Sequence, residues 1–120
     1  MGRRFPLIAD TIVPQASQED RRRFAEDMRK MINPKTLEVY RKALDDIDVT
    51  HLLPKVSAPC LIFHGNRDRM QPIEQGRAMA AGIPKAKFVT LDTNNHLLTE
   101  NDPCWPLFER EMHAFLDTLA

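Results

Sequence analysis

The chain has 120 residues, 42% hydrophobic and 28% charged, and its 17 Lys+Arg balance 17 Asp+Glu. That length holds one domain at most, with a modest core. The zero net charge argues against a nucleic-acid-binding domain, which needs a basic excess, and no stretch is apolar for long enough to span a membrane.

Read from the start, Met1-Gly2-Arg3-Arg4 fails two targeting tests. A twin-arginine signal needs a longer apolar region than Leu7-Ile8-Ala9, which Asp10 interrupts, and a myristoylation site needs Ser or Thr where Pro6 stands. The cytoplasm is therefore the expected location. Residues Phe5 to Val13 are apolar and β-branched towards their end, which predicts a short strand or an extended arm. Ser17 then opens a helix, because Ser17-Gln18-Glu19-Asp20 has the form of a capping box with Asp in place of Glu. Phe24, Met28 and Met31 recur at helical spacing and mark its apolar face. The run Arg21-Arg22-Arg23 is flanked by Glu19, Asp20, Glu26 and Asp27, so it reads as a solvated helix face ahead of a phosphate-binding patch. Asn33-Pro34 ends this helix and caps the next, whose buried face is expected at Leu37, Tyr40 and Leu44. Asp45 to Lys55 is a connector with one apolar turn, Val49 to Leu53.

From Pro59 the pattern changes. Cys60-Leu61-Ile62-Phe63 is a continuous apolar run bounded by Pro59 and Gly65, which predicts a strand buried on both faces, as in a parallel sheet. Pro72 starts a helix through Ala81 that Gly82 ends. Ala86 to Leu91 reads as a second strand. Trp105 to Leu119 is a final helix with Trp105, Phe108, Met112, Phe115 and Leu119 on one core-facing stripe. Strand, helix, strand, helix in this order is a βαβα unit with a parallel sheet. Two strands alone leave open edges and uncovered faces, so the chain is expected to be incomplete or to pair with something.

Sites in parallel sheets form outside the carboxyl ends of the strands. Two polar segments sit there: His64-Gly65-Asn66-Arg67-Asp68 after the first strand and Asp92-Thr93-Asn94-Asn95-His96 after the second. If the strands are neighbours, Asp68 and His96 come within hydrogen-bond reach, and a carboxylate beside an imidazole fixes its tautomer and stabilises the imidazolium. His64, at the strand end, reads as structural, and His51 and His113 fall on surfaces. The two cysteines, Cys60 and Cys104, have neither CxxC spacing nor paired histidines, so no zinc or other metal site is expected. A disulfide between them stays open, although Cys60 is more simply a small core residue.

From about Asp46 to its end the chain resembles the last part of α/β-hydrolase-fold enzymes. Pro59 to Pro72, with Asp68 followed by three residues and a helix-starting Pro, is similar to that family's strand-loop-Asp motif. Phe88 to His96 is similar to its last strand and His loop, and Gly76 to Ala80 falls where its intervening helix lies. The order Asp then His is also the family's. Gln71 departs from the pattern, since an aliphatic residue is commoner there. The resemblance implies an α/β class and a partial α/β-hydrolase fold, a parallel βαβα unit preceded by two lid-like helices. Residues 1–48 form the lid-like segment and 49–120 the C-terminal part of the hydrolase domain. Asp68 becomes the triad acid and His96 the triad base, without cofactor or metal.

A G-x-S-x-G elbow and an oxyanion loop are absent from the sequence. Ser17 is a helix cap, Ser57 precedes Ala58-Pro59, and neither Cys60 nor Cys104 has the setting of an activated thiolate. Two function classes follow. In the first, the chain is the C-terminal part of a serine-hydrolase-type enzyme acting on an unknown small-molecule ester or related bond, inactive until an N-terminal half or a complementing chain supplies the nucleophile. In the second, it is a non-catalytic module that dimerises or binds a partner through its exposed sheet edge. A remnant that folds poorly is the third expectation.

Overall fold

The computed structural model describes residues 9–120, so the readings of Met1 to Arg4 and of the start of Phe5–Val13 lie outside the described residues. Within them, residues 9–12 are helical and 13–16 form a turn, where a strand or arm was expected. The reason is burial at helical spacing. Ala9, Ile12 and Val13 stand three and four positions apart and are 1%, 8% and 5% exposed, which places them on one helix face despite the β-branching of two of them.

Helix α1 (Gln18–Met31) starts on Ser17, whose hydroxyl accepts the Asp20 N–H at 3.1 Å and donates to the Asp20 carboxylate at 2.7 Å. Half of the capping box is therefore formed: Ser17 caps the Asp20 N–H, while the shorter Asp20 side chain takes the cap hydroxyl's proton, where a capping box has it accept the Ser17 N–H. Ala25 of α1 meets Ala9, and Phe24, Met28, Ile32 and Leu37 pack around the pair as a small apolar cluster. Met31, expected on the same face, is 80% exposed. Helix α2 (Pro34–Asp45) starts on Asn33, whose side-chain oxygen accepts the Thr36 N–H at 2.9 Å. Its expected buried face is not covered. Leu37 in the first turn joins the cluster, while Tyr40 and Leu44 take no part in it and are 58% and 46% exposed. A 3-10 turn (Thr50–Lys55) follows.

Strand β1 (Cys60–Gly65), helix α3 (Ile73–Gly82), strand β2 (Ala86–Leu91) and helix α4 (Trp105–Asp117) form the expected βαβα unit. The strands are parallel and in register from Cys60↔Ala86 to Gly65↔Leu91. Alternation along each strand sends Ile62, His64 and Phe88 to one face and Phe63 and Lys87 to the other. α3 covers the first face, where Gly76 lies against His64 and Phe88. α4 covers the second, through Phe63 against Phe108 at 4.8 Å between ring centroids and a Lys87–Glu111 ion pair at 2.8 Å. The 3-10 turn closes the far end of α3, where a Cβ on Gly82 would meet Leu53 at 2.7 Å.

Cys60 to His64 are nonetheless half-buried, and Gly65 is the buried residue of β1. The expectation of a strand buried on both faces is thus corrected: one helix lies on each face, and two strands are too narrow for either to be sealed. The α4 stripe is likewise half-buried from Trp105 to Phe115, and Leu119 is 52% exposed. Thr93, Asn95 and Asp102 are 1%, 4% and 5% exposed, so a group of buried side chains lies at the sheet's carboxyl edge. None of the described helices is long and apolar enough to cross a membrane.

Candidate active site

Matched strand ends bring the two polar loops together. Beyond the Gly65↔Leu91 pair, the Asn66 N–H donates to Leu91 O at 2.8 Å and the Arg67 N–H to Thr93 O at 3.2 Å. Side chains continue the pairing, with Asn66 Nδ2 donating to Asp92 at 2.9 Å, Arg67 paired with Asp92 at 3.1 Å, and Arg67 Nε donating to Asn94. Gly65 lets the loops approach this closely, since a Cβ there would lie 2.9 Å from Thr93 O and 3.2 Å from Asn95 O.

Asp68 and His96 meet above this junction. His96 Nδ1 lies 2.7 Å from Asp68 Oδ2. Asp68 Oδ1 accepts the N–H groups of Met70 at 2.7 Å and Gln71 at 3.2 Å, which ties the carboxylate to the turn leading into α3. Its side chain is 4% exposed, against 33% for His96. Burial raises the carboxyl pKa, but the bonds from His96, Gln71 and Met70 outweigh it and hold Asp68 below the ordinary carboxylate value. Asp68 is therefore an anion near neutral pH, and its oxygen obliges His96 Nδ1 to carry a proton, so that in the neutral ring the lone pair is on Nε2. Nε2 has no partner among the described residues. A cavity of about 130 Å³ lies beside the pair, lined by Phe63, Leu91, Leu98 and Phe108 among others.

His64 contributes more than a strand end. Its Nε2 lies 2.8 Å from Gln71 O, which as a carbonyl can only accept, so Nε2 bears the proton. The same nitrogen is 3.7 Å from Asp68 Oδ2. His64 thus closes the turn that carries Asp68, and Gly76 makes room for its ring, since a Cβ at 76 would fall 2.5 Å from His64 Nδ1.

The His96 loop rests on buried polar residues that the sequence reading passed over. Thr93, Asn95 and Asp102 are 1%, 4% and 5% exposed. Asp102 Oδ2 accepts from the Thr93 hydroxyl at 2.6 Å and from Asn95 Nδ2 at 2.8 Å, and Oδ1 accepts the Cys104 N–H at 2.9 Å. Burial pushes the Asp102 pKa up, and the Thr93, Cys104 and Asn95 donors more than offset that, so it lies below the ordinary value. Residues of this kind read in sequence as loop formers, and no periodicity marks them as buried. On the remaining side, Ile12 O accepts the N–H groups of His96 at 2.7 Å and Leu97 at 3.3 Å, and the Gln15 N–H donates to Asn95 Oδ1 at 3.0 Å.

The other candidates fall elsewhere. Cys60 and Cys104 are free thiols, which closes the disulfide question. Cys104 donates to Asp92 O at 3.2 Å, and its burial and the nearby Asp102 charge raise its pKa, the opposite of an activated thiolate. Ser17 is engaged as a helix cap, Ser57 is exposed, and His51 and His113 lie on the surface. No group of three or more His, Cys, Asp or Glu among the described residues is arranged to hold a metal.

Comparison with known proteins gives a consistent placement. No family model matches the chain. It is 32% identical over 87 residues to a protein of Pseudomonas syringae pv. syringae assigned as carbamate hydrolase RutD, a match covering 71% of this chain and 33% of the relative. It is 29% identical over 76 residues to a pimeloyl-acyl-carrier-protein methyl ester esterase of Vibrio atlanticus, covering 62% of this chain and 30% of that one. The match thus spans about a third of the length of these curated relatives. A solved hydrolase structure from Oleispira antarctica superposes with a TM-score of 0.71 at 23% identity, over 91% of this chain and 41% of that chain.

Proposed function

The chain belongs to the α/β-hydrolase fold, of which it spans a part, and we propose that it supplies the acid and base of a serine-hydrolase-type site, the nucleophile coming from residues outside these 120. The observation that carries this reading is the 2.7 Å Asp68–His96 bond at the carboxyl ends of adjacent parallel strands, with Nε2 left unengaged among the described residues. In the proposed reaction Nε2 takes the proton of a nucleophilic hydroxyl as it attacks a substrate carbonyl. The imidazolium formed is stabilised by Asp68, which stays an anion, and returns the proton to the leaving group. Water then repeats the sequence on the acyl intermediate. Both named relatives carry the names of enzymes acting on a carbonyl bonded to oxygen or nitrogen, which supports an ester, carbamate or similar substrate. Residues 1–48 would then serve as the lid-like segment and 49–120 as part of the catalytic domain.

The test is turnover of an activated ester by the chain alone and by the chain joined to the polypeptide that supplies a G-x-S-x-G elbow. The proposal expects hydrolysis in the second case, lost on His96→Ala and on Asp68→Ala, and none in the first. Hydrolysis indifferent to both substitutions would overturn it. A second reading, a non-catalytic module that dimerises or binds a partner, draws on the half-buried strands of the two-stranded sheet. A stable dimer by native mass, with no turnover in either setting, would favour that reading.

A further inference from the structure

Asn95 is held at both ends of its side chain. The Gln15 N–H can only donate, so the atom facing it at 3.0 Å is the amide oxygen. The Asp102 carboxylate can only accept, so the atom facing it at 2.8 Å is the amide nitrogen. The two partners independently demand the same amide orientation. One is in the segment after the first helical turn, the other in the turn before α4, and Asn95 immediately precedes His96 in the chain.

The backbone around it repeats the arrangement. The Asn95 N–H donates to the Thr93 hydroxyl at 3.1 Å, and that hydroxyl donates to Asp102 at 2.6 Å. The His96 N–H donates to Ile12 O at 2.7 Å. Thus Asn95 is fixed from one side by Asp102 and from the other by Gln15, and His96, next in the chain, is fixed by Ile12. His96 itself touches Asp68 through its ring, so a shift of the 95–96 backbone would be felt at that bond.

We propose that Asn95, anchored by Asp102 and Thr93, is the positioning residue that makes the His96–Asp68 register depend on docking of the Ile12–Gln15 segment. This rests on reading His96 as the base, and it adds that the helical segment at residues 9–12 and the base move as a coupled pair. The segment's hold on the loop includes three hydrogen bonds from its own backbone groups, Ile12 O to two N–H groups and Gln15 N–H to Asn95, and Gln15 Oε1 lies 3.1 Å from the Thr93 hydroxyl.

The test uses the full chain and reads geometry by NMR, without turnover. In the parent protein the carboxylate-bound His96 Nδ1–H is expected to give a far-downfield proton signal. Asn95→Ala removes both amide contacts. The expected result is loss or strong broadening of that signal, with exchange at the His96 and Gln15 amides about tenfold faster, while the amides of β1 and β2 keep their protection. The double variant Asn95→Asp/Asp102→Asn reverses the donor and acceptor of the pair. It keeps an acceptor for the Gln15 N–H and another for the Cys104 N–H. The Thr93 hydroxyl can turn to Gln15 Oε1, which lies 3.1 Å from it. The double variant is expected to restore the signal and the slow exchange. An unchanged signal and unchanged His96 exchange in Asn95→Ala would overturn the proposal, as would failure of the swap to restore them. If Asn95→Ala unfolds the sheet, the swap alone decides: signal present supports, signal absent overturns. Absence of hydrolysis in any setting, with this pattern intact, would count against the proposed function and leave the positioning role standing.

Discussion

Replacing Asp68 by Asn or by Ala separates what the carboxylate holds from what it tells the imidazole. Asp68 accepts three hydrogen bonds, from Met70 N–H, Gln71 N–H and His96 Nδ1–H. Ala loses all three. Hydrogen bonds to a charged group contribute about 1.5–3 kcal/mol each, but Met70 and Gln71 are exposed and water can replace part of theirs, so Asp68→Ala should cost about 2–4 kcal/mol. Asn has two ways to sit. With its oxygen towards Met70 and Gln71 it keeps two bonds and turns its NH2 towards His96 Nδ1; in the flipped pose it keeps one bond and opposes two N–H groups with a third donor. Two bonds against one decides for the first pose. His96 must then present a bare Nδ1 and carry its proton on Nε2, the reverse of the tautomer a base needs. Asp68→Asn should therefore cost about 1–2 kcal/mol, yet lower kcat in a completed enzyme by about four orders of magnitude. Denaturant unfolding measures the first effect, and long-range 15N–1H correlation of the His96 ring reads the tautomer in the chain itself. An Asn variant that keeps the proton on Nδ1, or an Ala variant as stable as the Asn variant, would refute this reasoning.

Gly65→Ala should cost about 1–3 kcal/mol by overpacking, since the new Cβ meets Thr93 O at 2.9 Å and both obstructing oxygens are backbone; thermal unfolding checks the cost, and the His96 resonances should shift with it. Gly76→Ala should destabilise despite a helix-propensity gain of about 1 kcal/mol, and its cost should fall by about 1 kcal/mol in a His64→Ala background, where the ring 2.5 Å from the new Cβ is gone; equal costs in both backgrounds would show that the contact does not matter. Asp68 and Asp102 both lie below the ordinary value of 3.8, so each contributes stability that is present above that value and lost as pH falls through its lower folded value. Unfolding free energy should hold steady near neutrality, decline below about pH 5, and decline less steeply in Asp102→Asn. A thiol reagent should modify half-buried Cys60 in the native protein and reach Cys104 after denaturation, because Cys104 is buried and its thiol is held protonated; rapid native labelling at Cys104 would contradict this.

The βαβα unit was legible because its signals are local and redundant. Pro59, Gly65, Pro72 and Gly82 punctuate it, and the observed strand Ala86–Leu91 coincides with the expected one. The Asp68–His96 pair was legible because parallel, adjacent strands with matched ends leave their following loops little choice of partner. The helical half was harder to read. Phe5–Val13 carries both β-branched residues and a helical apolar spacing, and burial of Ala9, Ile12 and Val13 settled the contest from residue 9 onwards. Tyr40 and Leu44 have the periodicity of a buried face, but periodicity says which residues share a face, not whether anything covers it. The supports of the site were hidden for another reason. Asn95 owes its role in part to Gln15, 80 positions away, and turn-forming residue types such as Asn95 and Asp102 give no sign of burial.

That a hydroxyl-bearing side chain, Thr93, is 1% exposed bears on temperature. Local opening of the His96 loop exposes mostly polar groups, whose hydration gives a small or negative heat-capacity change, so its stability falls almost linearly on warming. The apolar cluster around Ala9 and Ala25, to which residues 12–15 are joined, behaves oppositely and loses driving force in the cold. The Ile12–His96 bond lies where the two dependences meet. Warming should loosen it from the loop side and cooling from the helix side, so the His96 amide should be best protected from exchange at a temperature between them.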